Sequence, residues 1–93
     1  MSQPAPVSIK LTIENQRGLH ARASAKFVQL AEQFDAEVTV SRAGEQALAT
    51  SIMGLMMLGA SRGSAVELAA EGPDAEAALA ALSALINDKF GED

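Results

Sequence analysis

The chain holds a single histidine, His20, inside the stretch Arg17-Gly18-Leu19-His20-Ala21-Arg22. A glycine stands just ahead of it and an alanine-rich amphipathic pattern follows directly, which places the imidazole where a loop becomes a helix. The first N–H groups of a helix have no intrahelical partner and lie at the positive end of the helix dipole, so this position favours a bound or covalently attached phosphate. Helix starts prefer Ser, Thr, Asp or Asn as caps, and a histidine there substitutes a nucleophilic ring nitrogen. Such a nitrogen suits acceptance of a phosphoryl group, with Arg22 and the first helical N–H groups offsetting its negative charge. Lys26, four residues beyond Arg22, falls on nearly the same helical face. The plainer alternative is an exposed or structural histidine, the commoner fate of a lone one in a small domain.

Other chemistries find less support. One histidine and scattered carboxylates show none of the usual metal-ligand spacings, so no metal and no cofactor is expected. With no cysteine, neither thiol chemistry nor a disulfide framework is available. Gly59-Ala60-Ser61-Arg62-Gly63 fits the pattern G-x-S-x-G. A nucleophile elbow, however, runs from strand through a sharp turn to helix, whereas here the order is helix to strand. Ser61 therefore reads as a loop residue, and a hydrolase is a distant third possibility.

The elements that must position His20 follow from hydropathy. Ile9, Leu11 and Ile13 alternate with polar neighbours, which predicts a strand over Ser8 to Glu14 with one buried face. Ala23, Phe27, Leu30, Ala31 and Phe34 recur at helical spacing and predict a helix from about Ala21 to Gln33. Ala36, Val38 and Val40 mark a second strand, Arg42-Ala43-Gly44-Glu45 a turn, and Gln46 to Ala49 a third strand that closes a hairpin. Residues 51–59 are apolar almost all round at helical spacing. If Leu55 and Leu58 face inward, Met53 and Met57 must lie outside, and flexible exposed methionines suit partner binding. Val66, Leu68 and Ala70 give a fourth strand. Gly72-Pro73-Asp74 opens a last helix whose stripe is Ala75, Ala78, Leu79, Leu82, Leu85, Ile86 and Phe90. The order β-α-β-β-α-β-α predicts an α+β fold, an open-faced β-sandwich with a four-stranded antiparallel sheet covered on one face by three helices.

Ninety-three residues allow one domain, 1–93, with residues 1–6 as a frayed terminus. No apolar run approaches the length of a membrane span, and the first residues lack a basic region followed by an apolar one, so no membrane insertion is expected and the cytoplasm is the default location. The net charge of -5 argues against a nucleic-acid partner. Its distribution is uneven. Residues 1–30 hold four basic residues against one acidic, and the remainder three against eleven, so positive charge gathers in sequence around the histidine.

At these residues the chain resembles the histidine-containing phosphocarrier (HPr) family of the bacterial phosphoenolpyruvate-dependent phosphotransferase system, from about Ser8 to Phe90. Gly18-Leu19-His20-Ala21-Arg22 looks like the family's active-site segment, and the nine residues from Ser51 to Gly59 look like its regulatory-site helix. The resemblance implies that His20 accepts a phosphoryl group on Nδ1 from phosphorylated enzyme I and donates it to enzyme IIA, assisted by Arg22. It implies a partner surface formed by Ile52, Met53, Met56 and Met57 with Arg17 and Ala23, and a monomeric carrier. It also makes Ser51 the candidate site of an HPr kinase/phosphorylase. Ala23 stands where the family commonly has proline, which would fix the first helical turn, so a more mobile loop is expected here. Arg17 replaces a small polar residue. Two segments, Phe34 to Val38 and Phe90 to Asp93, look more like the nitrogen-regulatory branch than the sugar-transport branch. A reading of another class keeps the fold but lets it act as a regulatory interaction domain through Met53 and Met57, without phosphotransfer.

Overall fold

The computed structural model describes residues 6–92. Of the expected frayed terminus only Pro6, which is exposed, falls within them. The strands are β1 (Val7–Thr12), β2 (Glu37–Arg42), β3 (Glu45–Leu48) and β4 (Ala65–Glu71), and the helices are α1 (Ala21–Ala31), α2 (Ile52–Met57) and α3 (Ala75–Asn87). The strands form one antiparallel sheet in the order β1-β4-β2-β3. In its register, Leu68 lies between Ile9 and Val40, and Ala47 lies beyond Val40. Strand side chains alternate between faces, so these residues share the side on which all three helices pack. Ser8, Lys10, Thr39, Ser41 and Glu67 occupy the open side. The fold is the open-faced α+β sandwich that the sequence predicts.

Between sheet and helices lies a core dominated by aliphatic side chains, with Phe27 and Phe90 as its largest members. α1 contributes Ala23, Phe27, Val28 and Ala31, and α3 contributes Ala75, Ala78, Leu79, Leu82 and Ile86. Leu30 and Leu85 are only half-buried. α2 turns Leu55 inward, fully buried, and Leu58 follows just past its end.

β1 begins one residue earlier than the sequence expectation, Arg42 and Glu45 of the expected turn belong to β2 and β3, and β3 ends one residue earlier; three further boundaries differ for a local reason. β1 stops at Thr12 because Ile13 leaves the ladder to bond the turn before β4: its N–H donates to the Ser64 carbonyl at 2.9 Å, and its own carbonyl accepts from Gly63 N at 2.8 Å. α1 stops at Ala31 because Gln33 and Phe34 bond three residues back rather than four, a tightened final turn. Phe90 is buried as expected but is not helical. α3 ends at Asn87, and Phe90 sits in a 3₁₀ turn, Lys89–Gly91, with φ at 56°. Ile9 faces the helices yet remains 39% exposed, because β1 is an edge strand that the helical layer covers incompletely.

Candidate functional site

His20 is placed by the loop between β1 and α1. Gly18 N donates to the Asn15 carbonyl at 3.2 Å, and the fully buried Asn15 returns the bond through Nδ2 to the Gly18 carbonyl at 2.8 Å. Gly18 has φ at +64°, and a Cβ there would stand 2.3 Å from the Ala60 carbonyl oxygen, so only glycine fits. Leu19 is buried and its N–H donates to that same carbonyl at 2.9 Å. The residues before His20 are thereby fastened to the segment that follows α2.

His20 is the N-cap of α1. Its backbone is extended, and its carbonyl accepts the first helical bond from Ser24 N at 2.9 Å. Nδ1 accepts from the Arg22 N–H at 3.2 Å, the service normally given by a serine or aspartate cap. On the other side of the ring, Nε2 lies 2.6 Å from Oε2 of Glu92. The two partners assign the tautomer: Nδ1 carries the lone pair, and Nε2 carries the proton that faces a carboxylate. The ring is 22% exposed, within reach of a protein partner.

Glu92 is held in turn. Asn15 Nδ2 donates to its Oε1 at 3.1 Å, and the Lys89–Gly91 turn that carries it is anchored by buried Phe90. Lys26 Nζ donates to the Phe90 carbonyl at 2.7 Å. Burial would raise the Glu92 carboxyl, but the hydrogen bonds from His20 and Asn15, with the charge of the His20 ring when it is protonated and that of Lys26, outweigh it and hold the group below its ordinary 4.5. Glu92, Gly91, Gln16, Arg17, Arg22 and Lys26 line an open basin of about 370 Å³. Three cations thus share one basin with Glu92, the residue that holds the His20 ring.

Sequence reasoning brought together His20, Arg22, Arg17 and Lys26; the fold places the three cations around one basin, which His20 adjoins through Glu92 and the Arg22 N–H. It missed Asn15 and Glu92, because nothing local links a loop asparagine to a glutamate 77 residues away. Ala23 is a correction. Its side chain is fully buried, so it offers no surface to a partner, and the first turn of α1 carries the His20 cap. Ser51 caps α2, accepting from Gly54 N at 2.9 Å. Met53 and Met57 are 69% and 75% exposed, with Ile52 and Met56 also on the surface. Ser61 lies in the turn between α2 and β4, its N–H donating to Ser64 Oγ. Among the described residues no three His, Cys, Asp or Glu side chains are grouped to hold a metal, and no helix is long and apolar enough to cross a membrane.

Fold and site together define a small open-faced α+β domain whose partly exposed histidine ring adjoins a basin lined by cations instead of lying in an enclosed pocket. Comparison with known proteins narrows the class. The family described as "PTS HPr component phosphorylation site" matches residues 7–88. The chain is 57% identical over 81 residues to "Phosphocarrier protein HPr" of Cupriavidus necator, covering 87% of this chain and 91% of that protein. It is 46% identical to "Phosphocarrier protein NPr" of Shewanella violacea, covering 89% and 91%. The crystal structure of HPr-C-His from Thermoanaerobacter tengcongensis superposes with a TM-score of 0.90 at 46% identity, covering 94% of this chain and 98% of that one. The chain belongs to the HPr family of the phosphotransferase system, which includes the NPr branch, and its function is that of a phosphocarrier.

Proposed function

We propose that His20 carries the phosphoryl group, accepting it on Nδ1 from phosphorylated enzyme I and donating it to a histidine of enzyme IIA. The observation that carries this reading is the state of Nδ1, whose lone pair is turned towards the N–H groups of the first helical turn at the Arg22 end. In transfer, that lone pair attacks phosphorus while the bond to the donor histidine breaks. The phosphoryl oxygens then gain the N–H groups of the first helical turn, and Arg17 and Arg22, which line the adjoining basin, supply positive charge. Because the ring is partly exposed and the stabilisation is made of partial charges and surface cations, the phosphoryl group is held without becoming too stable to pass on.

The exposed side of α2, with Ile52, Met53, Met56 and Met57, is the surface that presses against either partner. The protein acts as one cytoplasmic, monomeric domain. Ser51 is the site of regulation by an HPr kinase/phosphorylase. A phosphate on that cap is compatible with the helix yet adds roughly two negative charges beside the docking surface, which slows transfer from enzyme I.

The test is incubation with enzyme I and labelled phosphoenolpyruvate. An acid-labile, base-stable label is expected on the native protein and absent from His20→Ala. A label that persists in His20→Ala ends the proposal. The exposure of Met53 and Met57 favours one second reading, an interaction domain that needs no phosphate. It gains if target binding survives His20→Ala and is lost in Met53→Glu.

A further inference from the structure

We infer that Glu92 is a positioning residue for His20, fixing the proton on Nε2 so that Nδ1 alone is the nucleophile and so that the imidazole departs as a neutral leaving group. The inference rests on the reading of His20 as the phosphoryl acceptor and assigns to a second residue the control of that ring. Its basis is geometric. Glu92 Oε2 lies 2.6 Å from Nε2, while Oε1 is engaged by Nδ2 of the fully buried Asn15 at 3.1 Å. Both carboxylate oxygens are therefore committed, and the carboxylate cannot turn away from the ring without breaking a bond to a buried side chain. The backbone that carries Glu92 is fixed as well, by the Phe90 anchor and the bond from Lys26 to its carbonyl. A surface carboxylate that merely met a histidine by chance would not be gripped at three points.

The chemical role follows from the balance of the step. When Nδ1 forms its bond to phosphorus, the donor's P–N bond breaks and its electron pair returns to the donor ring. Nε2 of His20 keeps its proton, so the phosphorylated ring becomes an imidazolium. The positive charge that appears at Nε2 lies against the Glu92 carboxylate, a charge-assisted hydrogen bond stronger in the phosphorylated state than before it. On delivery the P–Nδ1 bond breaks and its electron pair returns to Nδ1, leaving neutral imidazole. Without the carboxylate, the phosphorylated ring releases the Nε2 proton more readily, and its departure as an anion is far less favourable.

Two readouts on ¹⁵N-histidine-labelled protein test this: exchange of the His20 Nε2 proton with water, followed by NMR, and the rate of transfer from phosphorylated enzyme I. Glu92→Ala is expected to accelerate proton exchange and to slow transfer roughly tenfold, the effect of losing one charge-assisted bond in a partly exposed site. Glu92→Gln keeps an acceptor oxygen but loses the charge, so proton exchange should stay close to native while transfer is slowed like that of Glu92→Ala. Circular dichroism confirms that each variant is folded. Unchanged proton exchange in Glu92→Ala overturns the inference, as does a native transfer rate in that variant. Failure of the underlying reading looks different: no label reaches His20 even in the native protein, while the proton-exchange result stands independently.

Discussion

Gly18 is the residue on which the position of His20 most depends. An alanine there would take an unfavourable left-handed conformation and push its Cβ to within 2.3 Å of the Ala60 carbonyl, opening the Leu19 to Ala60 bond. Gly18→Ala is therefore expected to lose about 2–3 kcal/mol of stability in denaturant unfolding, the sum of a left-handed alanine and a broken buried hydrogen bond. A loss under half of that would mean the loop relaxes elsewhere. Glu92 gives a second check at this scale. Its folded-state carboxyl lies below the ordinary 4.5, so its bond to His20 contributes stability that is present above 4.5 and lost as pH falls through the lower folded value. Its side-chain carbon resonance should titrate with a midpoint under 4.5 in the native protein, and back towards 4.5 in Asn15→Ala. The two residues also mark what sequence reading reaches. His20 and Arg22 are legible because the cap is a local device, made between residues two apart. Glu92 and Asn15 are not, because their meeting is a product of tertiary closure across 72 and 77 positions.

Among the elements, periodicity carried the strands and helices, while their ends were decided by contacts that periodicity does not encode. Ile13 bonding the loop before β4, and Phe90 entering the core from a turn with positive φ, are two such cases. α2 shows most clearly how an element's end is held. Its start is capped by Ser51 and its other end by Arg42, whose Nη1 donates to the Leu58 carbonyl at 3.0 Å, where a cation suits the helix dipole. Ser51→Ala removes the acceptor for Gly54 N and should cost about 1 kcal/mol in thermal or denaturant unfolding. Aspartate is also a good cap, so Ser51→Asp should unfold close to the native midpoint yet slow transfer from enzyme I through its added charge. If Ser51→Asp transfers at the native rate, charge at that cap does not govern docking, and the regulatory reading of Ser51 fails with it.

At the scale of the molecule, the bond from Leu19 to Ala60 joins the histidine loop to the segment following α2, so the elements that carry the ring and the exposed methionines are tied to one another. That surface is apolar and uncovered, while the opposite face of the sheet is polar with Lys10, Thr39, Ser41 and Glu67. On the proposed function, chemistry and docking divide between neighbouring elements, which predicts that they separate kinetically. Met57 is 75% exposed, so its truncation leaves the core intact and the unfolding midpoint unchanged. In a complex, burying it removes apolar surface from water, worth up to about 1.5 kcal/mol for a side chain that is partly covered. Met57→Ala should therefore raise KM for enzyme I by up to roughly tenfold while leaving kcat at the native value. His20 variants should abolish turnover at any concentration. A fall in kcat with KM unchanged in Met57→Ala would mean that the methionine surface orients the reacting ring and does not merely bring the partner to it.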